Sequence, residues 1–388
     1  MNYKLIDSVE ALNSYCLAIS QAKCLAIDTE FVRTRTLRPK LGLIQVYDGK
    51  QLGLIDPIAI DDLSAFVAIL DNPAIIKLLH SCSEDLEVFW CHLGTIPKPI
   101  FDSQIAYHLI GNASSVGYAN MIEQVLNTKL DKGESRTDWL ARPLSDAQLV
   151  YAAADVFYLY QIFNHLYASI VEQKHLNIVY DEVALIAAKK QATLPDELAY
   201  LTIKNNWRLA GVNLHALKLL AQWRLQQARI RDKAINFVVR EAPLIDIARI
   251  LPDSKSALMQ ISTLGPQEGR KHADVLLSLV KRAKQAAPND LPAQVLRLVD
   301  FSKYKQALAQ LKIVCEKIAS EQNLPHEIVA SKKQLNQFLK WCWMPVDETE
   351  AMGLLPDILS AWRRELFRPH LLSLFNNQEG GYETRRSI

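Results

Sequence analysis

The stretch Leu25-Ala26-Ile27-Asp28-Thr29-Glu30-Phe31 decides how this chain is read. Three apolar residues run straight into two carboxylates set two apart. Along a strand the side chains alternate faces, so Asp28 and Glu30 point the same way. Like charges side by side on a buried strand repel and are costly to desolvate. Such a pair is kept where something positive sits between them, most often a divalent metal, and hard oxygen ligands favour Mg²⁺ or Mn²⁺. A strand ending in two solvated acids is the plain alternative for an isolated Asp-x-Glu. The choice between the two rests on the acids further along the chain.

Around this stretch, residues 23–31, 41–47 and 51–56 read as successive strands, with Asp48-Gly49 as the turn between the last two. The intervening run Arg33-Thr34-Arg35-Thr36-Leu37-Arg38-Pro39-Lys40 is a basic loop directly after the carboxylates. It is either a solvated connection or a phosphate contact at the lip of a site. Residues 61–70 read as a helix and 75–79 as a buried strand. In Ser81-Cys82-Ser83-Glu84-Asp85, Ser83 is the expected N-cap and Asp85 falls in the first helical turn. A short strand at 100–102 leads into helices at 103–110 and 118–127. Residues 129–143 form a polar connection holding Lys132, Ser135, Arg136 and Trp139. Ser145-Asp146 then opens a long helix over 146–169. There Tyr151 and Asp155 lie four apart on one face, separated by alanines that allow close approach. An acid and a phenol on an otherwise apolar face need partners if buried.

Alternating strands and helices to about residue 190 imply an α/β domain with a mixed sheet. Beyond residue 200 the pattern is helical only, interrupted by Ala287-Pro288-Asn289-Asp290-Leu291-Pro292. The expected organisation is an α/β domain over 1–195, helical bundles over 208–288 and 296–375, and a disordered Gly- and charge-rich tail over 376–388. Length suits two or three domains. No run approaches a membrane span, the N-terminus shows no basic-then-apolar leader pattern, and the six cysteines have no metal spacing. A cytoplasmic protein with reduced thiols and no membrane partner is expected. The net charge of +2 hides an asymmetry. Residues 1–200 hold 16 Lys+Arg and 24 Asp+Glu (16 − 24 = −8), and the remainder 28 and 18 (28 − 18 = +10). A basic half beside an acidic half suits a polyanion held by one and processed by the other.

Asp28, Glu30, Asp85 and Asp155 together form a set of four acids that needs about two cations to converge in one cleft. Two metals are the standard clamp for in-line displacement at phosphorus. In their order and spacing, Ile27-Asp28-Thr29-Glu30-Phe31, His80-Ser81-Cys82-Ser83-Glu84-Asp85 and Tyr151-Ala152-Ala153-Ala154-Asp155 resemble the DEDD-type 3′–5′ exonucleases of the tyrosine branch. The stretches 31–36 and 41–46 are typical of the ribonuclease D family within it. The helical half resembles two helicase-and-RNase-D C-terminal (HRDC) domains. The first is marked by Gln222-Trp223-Arg224 and Ile235-Asn236-Phe237-Val238-Val239-Arg240; the second is more divergent.

The resemblance implies a ribonuclease H-like α/β domain followed by two all-α bundles. It implies that Asp28, Glu30, Asp85 and Asp155 hold two divalent metal ions (Mg²⁺ or Mn²⁺) and that Tyr151 orients the attacking water. It further implies hydrolysis of RNA from the 3′ end to 5′-mononucleotides, on tRNA precursors and other small structured RNAs with 3′ trailers, by a monomer. Arg33, Arg35, Gln45, Lys132, Trp223 and Arg224 are the expected substrate-binding residues. Departures from the family pattern are His272-Ala273 in place of His-Gly, and the lack of a clear Trp-Arg pair in the first helix of the second bundle, where Trp341-Cys342-Trp343-Met344 reads as core. A DNA exonuclease, a non-catalytic RNA-binding protein and a helicase accessory factor are the alternatives. The intact acid set argues against the second, and the lack of a phosphate-binding Gly-x-x-x-x-Gly-Lys loop against the third.

Overall fold

The fold is described from a computed structural model over residues 1–111, 116–131, 133–376, 378 and 381–388. A six-stranded sheet carries the first half, formed by β1 (Lys4–Ile6), β2 (Cys24–Val32), β3 (Lys40–Tyr47), β4 (Leu52–Ile55), β5 (Ile76–Leu79) and β6 (Ile100–Asp102). Their order is β1-β4-β3-β2-β5-β6. The β2–β3 and β3–β4 pairs are antiparallel, and β1–β4, β2–β5 and β5–β6 are parallel, so the sheet is mixed as expected. Helix α1 (Val9–Ile19) follows β1, capped by Ser8, whose hydroxyl accepts from the Ala11 N–H at 3.3 Å. Neither β1 nor α1 was anticipated, because three residues of strand give too little periodicity to notice.

The remaining helices of the first half are α2 (Ser64–Asp71), α3 (Ser83–Leu93), α4 (Ser103–Leu109), α5 (Tyr118–Leu126), α6 (Asp146–Glu172) and α7 (Leu176–Gln191). Alternation along β2 splits the core in two. Cys24 and Ala26 join the apolar cluster under α6, whereas Leu25 and Ile27 join the one that includes α1, α2 and α3. Asp28 and Glu30 continue the α6 side by the same alternation, and Thr29 the α3 side. At the end of β2 the register with β3 shifts between Glu30 and Phe31. Gly42 of β3 lies at this irregularity. A Cβ there would stand 2.5 Å from the Trp139 carbonyl oxygen, so only glycine admits the 139 loop against the sheet.

The second half is helical. The first bundle comprises α8 (Gly211–Ile230), α9 (Glu241–Ile250), α10 (Lys255–Met259) and α11 (Pro266–Lys284), around a core of its own. The second comprises α12 (Tyr304–Gln322), α13 (His326–Val329), α14 (Lys332–Trp343), α15 (Glu348–Ala351) and α16 (Ala361–Leu374). Its core is continuous with the cluster under α6. It is pinned to α7 by Arg363, which is 1% exposed, ion-pairs with Glu182 and donates to the Val329 carbonyl at 2.7 Å. The Trp362 indole N–H also donates to Glu182, at 2.7 Å. Trp341, Trp343 and Met344 are core.

The tail corrects an expectation. Several of its described residues pack instead of standing free. Tyr382 is buried against Phe375, the Trp343 indole donates to the Glu383 carbonyl at 2.9 Å, and Arg386 pairs with Glu350. The Gly and charge content hid one aromatic anchor and one arginine with carbonyls to reach. No helix among the described residues is long and apolar enough to cross a membrane.

Candidate active site

The geometry brings the predicted acids together. One carboxylate oxygen from each of Asp28, Glu30 and Asp155 lies within 4.8 Å of the others. Asp28 and Glu30 come from β2, and Asp155 from the facing side of α6. The close approach of α6 to the sheet follows from Ala152 and Ala153, both fully buried. Asp85 enters from α3 and accepts from the Thr29 hydroxyl at 2.5 Å. A residue of β2 thus ties the fourth acid to the strand that carries the first two.

The electrostatics report the cost of this assembly. Burial first, and the charge of Asp155 second, push the Asp28 carboxyl well above the ordinary range. Glu30 is raised by burial, then by Asp28, Asp155 and Asp85. Asp85 is raised by burial and by Asp28, against the Thr29 hydrogen bond. Asp155 is raised by burial, which the Tyr151 hydroxyl partly offsets. Burial and the same acids also raise Tyr151, so its hydroxyl stays protonated and donates to Asp155 one turn away. A set of hard oxygen donors that destabilise one another without a counter-charge fits divalent cations. A cavity of about 390 Å³ opens beside Tyr151 and Asp155, with Leu130, Val150 and Ala154 as apolar wall.

The supporting residues were not foreseen. Asp102, 1% exposed at the end of β6, accepts from four backbone N–H groups: Ser81 at 3.3 Å, Cys82 at 2.8 Å, Gln104 at 2.8 Å and Ile105 at 3.2 Å. It therefore caps α4 and also fixes the turn into α3, where Ser81 adopts φ 56°. That turn aims Asp85. The expected cap, Ser83, is instead the first residue of α3, and Cys82 at the cap position makes no side-chain cap bond. Tyr118 donates its hydroxyl to the Asp155 carbonyl, and Trp139, 1% exposed, lies 6.1 Å from the Tyr151 ring between centroids. The only sequence signal for Asp102 was an acid between a strand and a helix.

The expected substrate contacts divide. Arg35 is exposed. Arg33 is held by Glu87, which Lys190 also meets at 2.8 Å. Gln45 is fully buried opposite Asp28 in the middle of the sheet, with no partner for its amide among the described residues, so it is out of reach of RNA. Arg224 is 5% exposed and donates to the Val239 carbonyl at 3.2 Å. Trp223 packs edge-on against His272 with centroids 5.1 Å apart. Arg224 is thus internal to the first bundle and Trp223 is half-buried against its core, because the helix that carries them is its central element. Lys132 lies outside the described residues.

Comparison with known proteins agrees with this geometry. A 3′–5′ exonuclease family model matches residues 3–170. An HRDC domain model matches 213–280, and one for the C-terminal HRDC domain of ribonuclease D matches 302–371. Ribonuclease D of Escherichia coli is 42% identical over 374 residues, covering 96% of this chain and 98% of that protein. Ribonuclease D of a Shewanella species is 42% identical, covering 96% and 94%. A crystal structure of Escherichia coli RNase D, described as an exoribonuclease involved in structured RNA processing, superposes with a TM-score of 0.90 over 96% of this chain and 98% of that one. A Bifidobacterium adolescentis protein at 22% identity and a TM-score of 0.67 shares the fold. With three motifs in order, their acids gathered in one cleft and relatives aligned over almost the full length, this chain belongs to the ribonuclease D family.

Proposed function

We propose that this chain hydrolyses RNA from the 3′ end with two divalent ions, Mg²⁺ or Mn²⁺, and releases 5′-mononucleotides. The 3′–5′ exoribonuclease activity and its dependence on divalent metal belong to the family. The number of ions is our reading of four convergent acids, and its chief support is the cluster of Asp28, Glu30 and Asp155 with Asp85 tied to Thr29. When bound, the metal supplies a water of lowered pKa and neutralises the charge on the leaving oxygen.

The chain's own groups do the rest. Asp28, Glu30, Asp85 and Asp155 would hold the ions. The Tyr151 hydroxyl, kept protonated, can hand its hydrogen bond from Asp155 to a water placed for attack. Glu30 would also accept from the terminal 3′-hydroxyl. The cavity beside Tyr151 has the size of a small-ligand pocket and would take the terminal nucleotide.

The Escherichia coli RNase D structure, which aligns over 96% of this chain, is described as that of an exoribonuclease involved in structured RNA processing. We extend that to tRNA precursors and other small RNAs with single-stranded 3′ trailers, processed by a cytoplasmic monomer. We assign catalysis to residues 1–195 and RNA holding to the bundles over 208–288 and 296–375.

The test is a time course on a 5′-labelled RNA hairpin with a 3′ tail beside its DNA equivalent, in Mg²⁺, Mn²⁺ or EDTA. A ladder of single-nucleotide steps on RNA, abolished by EDTA, is expected. An equal ladder on DNA would make the enzyme a general exonuclease, and no ladder with the RNA still bound would make it a binding protein.

A further inference from the structure

The basic loop after β2 does not lie free in solvent. The Ala234 N–H donates to the Arg35 carbonyl at 2.9 Å, and the Arg38 N–H donates to the Asp232 carboxylate at 3.0 Å. Leu37 packs on the core of the first bundle. Loop and bundle therefore meet in one seam. Around it stand Arg35 and Arg38 from the catalytic side and Arg231 and Lys233 from the turn after α8, all at least partly exposed. None of these four cations forms an ion pair with any described residue. Asp232, the acid within the seam, is engaged by the Arg38 backbone.

One short turn further on, Phe237 is 59% exposed, with its N–H on the Ala234 carbonyl at 2.7 Å. A large ring left in water beside unpaired cations has the composition of a single-strand platform, where bases stack on the ring and phosphates meet the cations. Glu30 and Arg35 are five residues apart, so the seam begins within roughly 17 Å of the site's backbone.

We propose that this seam binds the single-stranded RNA immediately upstream of the scissile nucleotide. Phe237 stacks on a base, and Arg35, Arg38, Arg231 and Lys233 hold phosphates. The proposal rests on the exoribonuclease reading and adds where the strand runs. It gives the first bundle a function at the cleft and explains why the loop from β2 is docked on it.

The experiment measures KM across a salt series for the full chain on a hairpin RNA with a long 3′ tail. The variants are Phe237→Ala, Phe237→Trp and the pair Arg35→Ala/Arg38→Ala, with a dinucleotide too short to reach the seam as reference. We expect Phe237→Ala to raise KM for the tailed RNA about tenfold and Phe237→Trp to restore it. The arginine pair should lower the salt slope by roughly two. Wild-type KM and slope in Phe237→Ala and the arginine pair, while the wild type trims the tail, would overturn the seam but leave the exoribonuclease reading standing. A wild type that trims no RNA would overturn both.

Discussion

Asp155 shows at the scale of one residue what the site costs. Its carboxyl is buried beside Asp28 and Glu30, and all three are pushed above the ordinary carboxylate range. At these three carboxyls, in metal-free protein, the folded state thus holds more protons than the unfolded state above about pH 4, the ordinary carboxylate pKa. Their contribution to stability then falls as pH rises from there towards neutrality. In EDTA, Asp155→Asn should raise Tm above that of the wild type by more at pH 7.5 than at pH 5.5, while abolishing cleavage. A variant less stable than wild type in EDTA would contradict the repulsion. Asp102 acts through Asp85 and not on substrate. Asp102→Asn leaves one carbonyl oxygen for four N–H donors, and kcat should fall about tenfold or more, with partial rescue by added Mn²⁺ and little change in KM. Wild-type kcat in a folded variant would remove its positioning role. The acids were legible in the sequence because a like-charge pair on an apolar strand demands an explanation. Asp102 was not, because its donors are backbone groups brought together only by the fold.

Among elements, the crossing of β3, the 139 loop and α6 sets the geometry around Tyr151. Gly42→Ala puts a methyl into the Trp139 backbone. It should cost about 1–3 kcal/mol and lower kcat as well, since the Trp139 ring backs Tyr151. Urea unfolding and RNA trimming measured on the same preparation would check this, and wild-type values for both would show that the loop yields freely. The strands and the long helix were readable from period and caps. The Ser145 cap of α6 is reciprocal, with the Gln148 side chain returning to the Ser145 N–H at 3.0 Å. The contact of Gly42 with Trp139 was not readable, because its partners lie far apart in the chain. Gln45 misled for a related reason: its alternation was clear, but not that α6 covers that face.

For the whole molecule, the two bundles attach differently. The second shares its core with the catalytic domain and is locked by Arg363 on Glu182; the first has its own core and meets the basic loop. Glu182→Ala leaves a buried guanidinium without its counter-charge and should cost about 3 kcal/mol by chemical denaturation, with the midpoint shift checking it. No shift would mean that the Ile328 and Val329 carbonyls, which accept from Arg363 at 2.6 and 2.7 Å, suffice. The count of bundles was legible from linkers and helix periods, and the asymmetry of charge pointed to a polyanion. Which face meets which was not, because docking depends on single residues such as Trp362 and Leu37 that look ordinary in the sequence.

The metal centre is tested by a calorimetric titration of Mn²⁺ into the full chain with a 5′-mononucleotide present. Two ions per chain are predicted for the wild type, with binding lost or cut to one weak ion in Asp155→Asn. Stoichiometry of one in the wild type, or the same binding in Asp155→Asn, would contradict the two-metal account.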